Sequence, residues 1–352
     1  DQRSGRSQEQ WTSEGPDDRQ RSQALTGGSS VEMSRQPVMV TSTRRVRVGL
    51  VGSGRLARFH LQRLSLRSDL RPVAVAADFQ SAEQADGCRV VSDASELLSD
   101  TSLDVVLVTG SVSDRFETVR QAIELGRPIA VPSPLSASEL ALSAASGSGP
   151  RLLVLSNCLA DDDFQAAWSE IRSGRLGRPL TFLHSTWGLV GSESSLAAEA
   201  SGLPASLLDR LEQLLLFGDL VPLSVSARRL CGVGSVRGIG LAIRFADGVT
   251  ACLEHHPSSA VSLATGWVIA GSVGGYRDFE LFRVTGAEEV YGTPLESGSI
   301  DLDRVYDDLL LQWDDEVHRA GVLARADRLV RLLSSVELSL AGGSEVAVDV
   351  RG

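Results

Sequence analysis

VRVGLVGSGRLARFH, residues 46–60, is the stretch on which the reading of this chain turns. Val46–Val51 is a short apolar run of strand length, and it leads directly into Gly52-Ser53-Gly54-Arg55-Leu56-Ala57, a GxGxxA pattern. The residues that follow predict a helix with Leu56, Phe59, His60, Leu61 and Leu64 near one face. Glycine at 52 permits a tight turn, glycine at 54 lets backbone approach a pyrophosphate, and Ala57 lets the helix lie close against the strand. The helix start then offers unpaired N–H groups and a partial positive charge to phosphate. Glycines alone mark only a turn; their place between strand and helix makes this a dinucleotide fingerprint.

Reading outward, a second strand over Pro72–Ala77 ends at Asp78, where the fingerprint expects an acid on the adenine ribose. A carboxylate there favours NAD over NADP, and Phe79, Gln80 and Ser81 supply no basic side chain for a 2′-phosphate. A plain turn-capping role is the alternative for Asp78. Strand-like and helix-like segments then alternate. Arg89–Val91, Leu103–Thr109, Pro128–Val131 and Arg151–Leu155 read as strands; Ser95–Leu98, Arg115–Leu125 and Ser138–Ala145 read as helices. This alternation predicts a doubly wound parallel sheet whose crevice lies at the strand C-terminal ends, beside Gly52, Asp78, Thr109, Pro132 and Asn157. The later half changes character. Thr181–Trp187, Ser224–Arg229, Gly238–Phe245, Thr250–Glu254, Trp267–Gly271 and Asp278–Val284 read as strands separated by Gly or Asp-Gly turns. Val305–Leu340 reads as helical, and its Asp314–Leu333 part would lie back against the first domain.

The net charge of −11 argues against nucleic-acid or membrane-surface partners, and no apolar run reaches the ~20 residues of a membrane span. Cys88, Cys158, Cys231 and Cys252 are scattered, without a CxxC pair, so a reducing cytoplasm is the default compartment and no metal site is expected. Residues 1–43 are rich in Gln, Ser, Arg, Asp and Gly and predict a disordered tail, with Met33 and Met39 as candidate start residues.

GLVGSGRLARFH (49–60), VAVAAD (73–78), ASELLSDTSLDVVLVTG (94–110), AIELGRPIAVPSPLS (122–136) and FQAAWSEIRSGRLGRPL (164–180) together resemble the Gfo/Idh/MocA family of oxidoreductases. The resemblance implies an α/β architecture: a Rossmann NAD(P)-binding domain over 44–158, and over 159–352 an α+β domain with an open, mostly antiparallel sheet. The second domain shapes the substrate pocket and commonly provides a homo-oligomer contact. The cofactor residues it implies are Gly52, Gly54, Arg55, Leu56, Ala57, Asp78, Thr109, Gly110, Pro134 and Asn157, with a sugar or polyol as substrate.

The catalytic positions depart from that pattern. The chain has 34 basic residues besides histidine, all of them arginine, so no lysine is available. Where the family has Glu-Lys-Pro, this chain has Pro132-Ser133-Pro134; Arg115 stands near a family histidine position; and in an Asp-x-x-x-His pattern Asp209 fits the acid while Gln213 takes the histidine place. Neither serine nor glutamine titrates near neutral pH, so Asp209 or a histidine must accept the proton if hydride transfer occurs. Alternation puts only one of His255 and His256 on the inner face of its strand, and His184 lies on a neighbouring strand; a structural role is the alternative for each. Three readings stay open: an oxidoreductase with altered chemistry, an inactive dinucleotide-binding sensor, scaffold or regulator, and a fold relic without cofactor.

Overall fold

The computed structural model describes residues 45–52, 54–76, 87–110, 112–145, 151–189, 203–230, 238–259, 266–284, 290–295 and 303–349. The expected tail over 1–43, Asp78 and Cys231 lie outside the described residues. Residues 44–352 form one unit by contact, and both sheets belong to it.

The first half is built from β1 (Val46–Val51), α1 (Gly54–Leu66), β2 (Leu70–Ala76), β3 (Arg89–Val91), α2 (Ala94–Ser99), β4 (Val105–Val108), α3 (Val112–Glu124), β5 (Ile129–Pro132), α4 (Ala137–Ala145) and β6 (Leu152–Leu155). Every residue of β4, β5 and β6 is buried, as expected for a parallel sheet covered on both faces. All its pairings are parallel. The order is β3-β2-β1-β4-β5-β6, so the chain reverses direction of winding between β1 and β4. In such a sheet, ligands bind outside the strand ends at that switch point.

After β6 a short 3-10 turn, Asn157–Ala160, leads to α5 (Asp162–Arg172), whose start is capped by Asp161 accepting from the Phe164 N–H. There follow β7 (Pro179–Leu189), α6 (Ala205–Leu216), β8 (Pro222–Leu230), β9 (Gly238–Phe245), β10 (Thr250–Ser259), β11 (Val268–Gly271), β12 (Gly274–Arg277), β13 (Glu280–Val284), β14 (Val290–Pro294), α7 (Asp303–Asp314), α8 (Glu316–Gly342) and β15 (Val346–Ala347). They form a nine-stranded sheet, β14-β13-β12-β11-β7-β10-β9-β8-β15. Only the β7–β10 pair within it is parallel. Its inner face packs on α5 and α6 through Phe164, Phe182, Phe217 and Trp267. Asp163 fastens α5 to this sheet by accepting from the Trp267 N–H at 2.6 Å and the Tyr276 hydroxyl at 2.7 Å.

The strand expected over Asp278–Val284 is present as β13 but begins two residues later, at Glu280. Asp278 and Phe279 both take positive φ (48° and 60°), turning β12 into β13. Gly274 and Gly275 hide β12 from pattern reading, because they carry no side chain to show alternation. The helical end is also two helices. Asp315 accepts from the N–H groups of Val317 and His318, starting α8 afresh. Val322 and Ala326 of α8 join the apolar cluster of the first sheet, while the Ser339 hydroxyl accepts from the Ala227 N–H of β8. The expectation that this helix lies back on the first domain thus holds for its N-terminal half. Gln312 of α7 does for the exposed edge of β6 what a further strand would do. Its side chain accepts from the Val154 N–H at 2.9 Å and donates to the Val154 carbonyl at 2.8 Å.

His60 joins α1 to α7, with Nδ1 2.8 Å from the Tyr306 hydroxyl. Burial lowers its pKa from 6.5 to about 4. Folding therefore favours the neutral ring: this contribution is intact above pH 6.5 and is lost as pH falls toward 4. Between pH 7 and 4.5 it amounts to about 2.5 kcal/mol. Urea unfolding at the two pH values should show a smaller acid loss, by about that amount, in His60→Gln than in the parent. Equal losses would exclude this role.

Candidate active site

The glycine loop follows from the close meeting of β1 and β4. The Thr109 N–H donates to the Val51 carbonyl at 2.8 Å, and the Gly52 N–H donates to the Ala76 carbonyl at 3.1 Å. Gly52 has φ +148°, and a Cβ on it would stand 1.8 Å from Thr109 Oγ1, so no larger residue fits. Gly54 differs. Its φ is +72°, and a Cβ there would meet nothing within 4 Å. One glycine is thus required by protein on its far side, and the other faces open space at a helix start. Ala57 is fully buried where α1 packs down, and Leu56 beside it is exposed. Gly110 follows Thr109 with φ +143°. This arrangement fits a dinucleotide: open space beside Gly54 at a helix N-terminus, where a pyrophosphate is bound.

The ends of β5 and β6 lie alongside. Ser133 and Pro134, joined by a cis peptide bond, follow β5. Arg115, near a family histidine position, is turned into the protein. It is buried, donates from Nε to Glu139 Oε1 at 2.8 Å and from Nη2 to the Pro134 carbonyl at 2.6 Å. Glu139 in turn accepts from the Ser136 N–H, and Ser136 Oγ accepts from the Glu139 N–H, a capping box at the start of α4. Arg115 is therefore a support for the Ser133–Pro134 turn.

Helix α6 brings the second half to these strand ends. Asp209 lines a cleft of about 340 Å³ together with Asn157, Cys158, Asp161, Asp162 and Arg210. Gln213 borders the same cleft, yet its amide is consumed internally. Oε1 accepts from Arg210 at 2.6 Å and from the Trp267 indole N–H at 2.8 Å, and Nε2 donates to the Cys158 carbonyl at 3.4 Å. These bonds hold the Gln213 amide in place at the edge of the cleft. Arg210 also pairs with Asp161 at 2.7 Å.

Glu212, on the same helix, was not among the sequence candidates. Its carboxyl lines a small cavity with Val154 and Ser156 at the end of β6, and the nearby donors Ser156, Ser133 and Cys158 favour its charged form. Burial, reinforced by the charge of Asp209 and opposed by those donors, raises its pKa from 4.5 to about 7. A signal was present in the sequence. Leu208, Leu211 and Leu215 form the buried stripe of α6, and Glu212 falls within it, one helical turn from Leu208.

The histidines divide by alternation. His184 and His255 are buried on the inner face, and His256 stacks on Trp187 at 3.9 Å on the other. His184 packs edge-on to Trp267, and burial, with Arg210 nearby, lowers its pKa to about 3. His255 Nδ1 lies 3.1 Å from the Ser206 hydroxyl. Both are fixed, neutral packing groups. Among the described residues, no group of three His, Cys, Asp or Glu side chains could hold a metal ion, and no helix is long and apolar enough to cross a membrane.

Comparison with known proteins agrees with this geometry. Residues 46–145 match the GFO_IDH_MocA family model, described as an oxidoreductase family with an NAD-binding Rossmann fold. Inositol 2-dehydrogenase 4 of Saccharopolyspora erythraea is 31% identical over 150 residues, 40% of this chain and 44% of that protein. Inositol 2-dehydrogenase of Azotobacter vinelandii is 28% identical over 146 residues, 38% of this chain and 43% of that one. The chain thus spans less than half the length of the curated relatives it matches. Among solved structures, an NAD-binding protein from Listeria innocua superposes with a TM-score of 0.71 at 18% identity, covering 86% of this chain and 99% of that one. An oxidoreductase from Bacillus cereus gives 0.72 at 15% identity, covering 87% and 99%. These structures share the fold, with both sheets.

Proposed function

We propose that this chain, whose residues 46–145 match the Gfo/Idh/MocA oxidoreductase family model, moves a hydride between NAD and a hydroxyl-bearing carbon of a polyol. The observation that carries the proposal is the pair of glycines at the switch point, one closed by Thr109 and one open. Bound NAD supplies the hydride acceptor. The first turn of α1, with Gly54, Arg55, Leu56 and Ala57, would hold the pyrophosphate; Thr109, Gly110, Pro134 and Asn157 would border the nicotinamide half; Asp78 is assigned to the adenine ribose. The cleft beside α6 offers Asp209, Asp162 and Asn157 as hydrogen-bond partners for neighbouring hydroxyls. The relatives named for inositol point to the same substrate class.

A non-catalytic NAD-binding role is the second reading, favoured by the internal engagement of Gln213 and the absence of a lysine. Titration with NADH, followed by hydride exchange on inositols and sugars, separates the two: binding with exchange supports the enzyme, binding without exchange the sensor. Gly54→Val tests the cradle itself. The added side chain would stand in the open space at the helix start, so NADH affinity should fall at least about 100-fold, near 3 kcal/mol. The positive φ should cost about 1–3 kcal/mol of stability. Unchanged NADH fluorescence titration would exclude this loop as the phosphate site.

A further inference from the structure

We propose that Arg210 selects the substrate: the Nε–Nη2 edge of its guanidinium receives two neighbouring hydroxyl oxygens of a neutral polyol in the cleft beside α6. The inference rests on the oxidoreductase reading above and names the group that recognises its substrate.

Arg210 borders the cleft of about 340 Å³ together with Asn157, Asp162 and Asp209. Among the described residues that border it, Arg210 is the only cation. Its guanidinium is held from a single corner. Nη1 donates to Asp161 Oδ2 at 2.7 Å and to Gln213 Oε1 at 2.6 Å. Gln213 is fully buried and accepts from the Trp267 indole N–H at 2.8 Å, so that corner has a rigid anchor. The opposite edge has none. Nε is buried without a hydrogen-bond partner, and Nη2 has no acceptor among the described residues. Buried polar groups are nearly always paired, so an orphan N–H at the wall of an open cleft calls for an oxygen from outside the chain. An arginine that only stapled α6 to the start of α5 would need Nη1 alone. Because Nε is covered, ligand binding must turn the guanidinium about its Nη1 anchor.

Charge decides which oxygens these are. Asp161 already matches the guanidinium at 2.7 Å. Three aspartates against one arginine leave this wall of the cleft negative. A carboxylate or phosphate on the ligand would meet that excess of like charge. A hydroxyl does not: it accepts from Arg210 and donates its own proton to a neighbouring carboxylate such as Asp162. The planar guanidinium edge offers two parallel N–H groups, which hydroxyls on adjacent carbons can both reach; an ammonium offers no such edge.

The test uses the full chain as parent, Arg210→Met and Arg210→Lys. NADH is titrated first, and a parent that does not bind it sinks the oxidoreductase reading. Calorimetry with inositol, its monodeoxy analogues and inositol monophosphate is run with and without NADH, so the cleft is tested in either case. In the parent, removing one of the two recognised hydroxyls should weaken binding about 10–100-fold. Inositol monophosphate should bind more weakly than inositol, and the gap should narrow at high salt. Arg210→Met should bind inositol and the deoxy analogue alike. Arg210→Lys keeps a cation beside Asp161, which guards against a folding failure, and should still lose most of the discrimination. A merely structural arginine would leave the ratio of inositol to deoxy affinity unchanged in both variants. That unchanged ratio, tighter binding of the phosphate, or a parent that binds no inositol would each overturn the proposal.

Discussion

Glu139→Ala should cost about 3–5 kcal/mol of folding stability, more than any other single side-chain truncation argued here. The loss has two sources. The carboxylate closes the capping box with Ser136, accepting from its N–H at 2.6 Å and its hydroxyl at 3.0 Å. It is also the counter-charge of Arg115. The two side chains are 0% and 3% exposed, so the guanidinium left behind would be buried without its anion. Removing one member of such a pair is far more harmful than removing both. The double variant Arg115→Met, Glu139→Leu should therefore recover much of the stability lost in Glu139→Ala. Chemical denaturation of the two variants and the parent checks this, and a loss below about 1 kcal/mol in Glu139→Ala would show the pair to be solvated. Because Arg115 also donates to the Pro134 carbonyl, the double variant should regain stability without regaining full NADH affinity.

That pair shows where reading of the chain stops. The β1–loop–α1 unit was legible because each residue speaks locally: apolar run, turn glycine, helix start. The capping box at Ser136 and Glu139 is local too. Its partner Arg115 is 24 residues earlier in the chain, and only the packing of α3 on α4 brings them together. Placing Arg115 near a family histidine by alignment said where its backbone lies and nothing of where its side chain goes. The partners of Gln213 are equally non-local. Its spacing from Asp209 put it on the right helix, but Trp267, 54 residues later, takes its carbonyl. Glu212 was missed although its local signal, a carboxylate inside a leucine stripe, was visible.

The two-sheet architecture was legible from strand periodicity, helix spacing and family resemblance combined. The hairpin between β12 and β13 was not, since it depends on Asp278 and Phe279 taking positive φ, which non-glycine residues do rarely.

Gly52→Ala tests the other extreme, a position that the sequence and the structure describe alike. The methyl group would sit 1.8 Å from Thr109 Oγ1 and 2.8 Å from the Thr109 carbonyl oxygen, and the backbone φ of +148° belongs to a region open essentially to glycine. Thr109 cannot withdraw. It is 5% exposed, and its N–H is held by the Val51 carbonyl across the β1–β4 pairing. Backbone strain of about 1–3 kcal/mol and overpacking of about 1–3 kcal/mol should combine. The conformational part would be relieved only by moving the loop that starts α1. We therefore expect a stability loss of about 2–6 kcal/mol and NADH affinity at least about 100-fold weaker, near 3 kcal/mol. Adding Thr109→Ala separates the causes. It removes the hydroxyl contact but leaves the carbonyl contact and the φ, so it should restore less than half of the lost stability. Full restoration would mean that the hydroxyl alone excluded the methyl group. Parental stability and NADH affinity in Gly52→Ala itself would mean that β1 and β4 do not meet as closely as the structure places them, and with that the crevice argued from them would go.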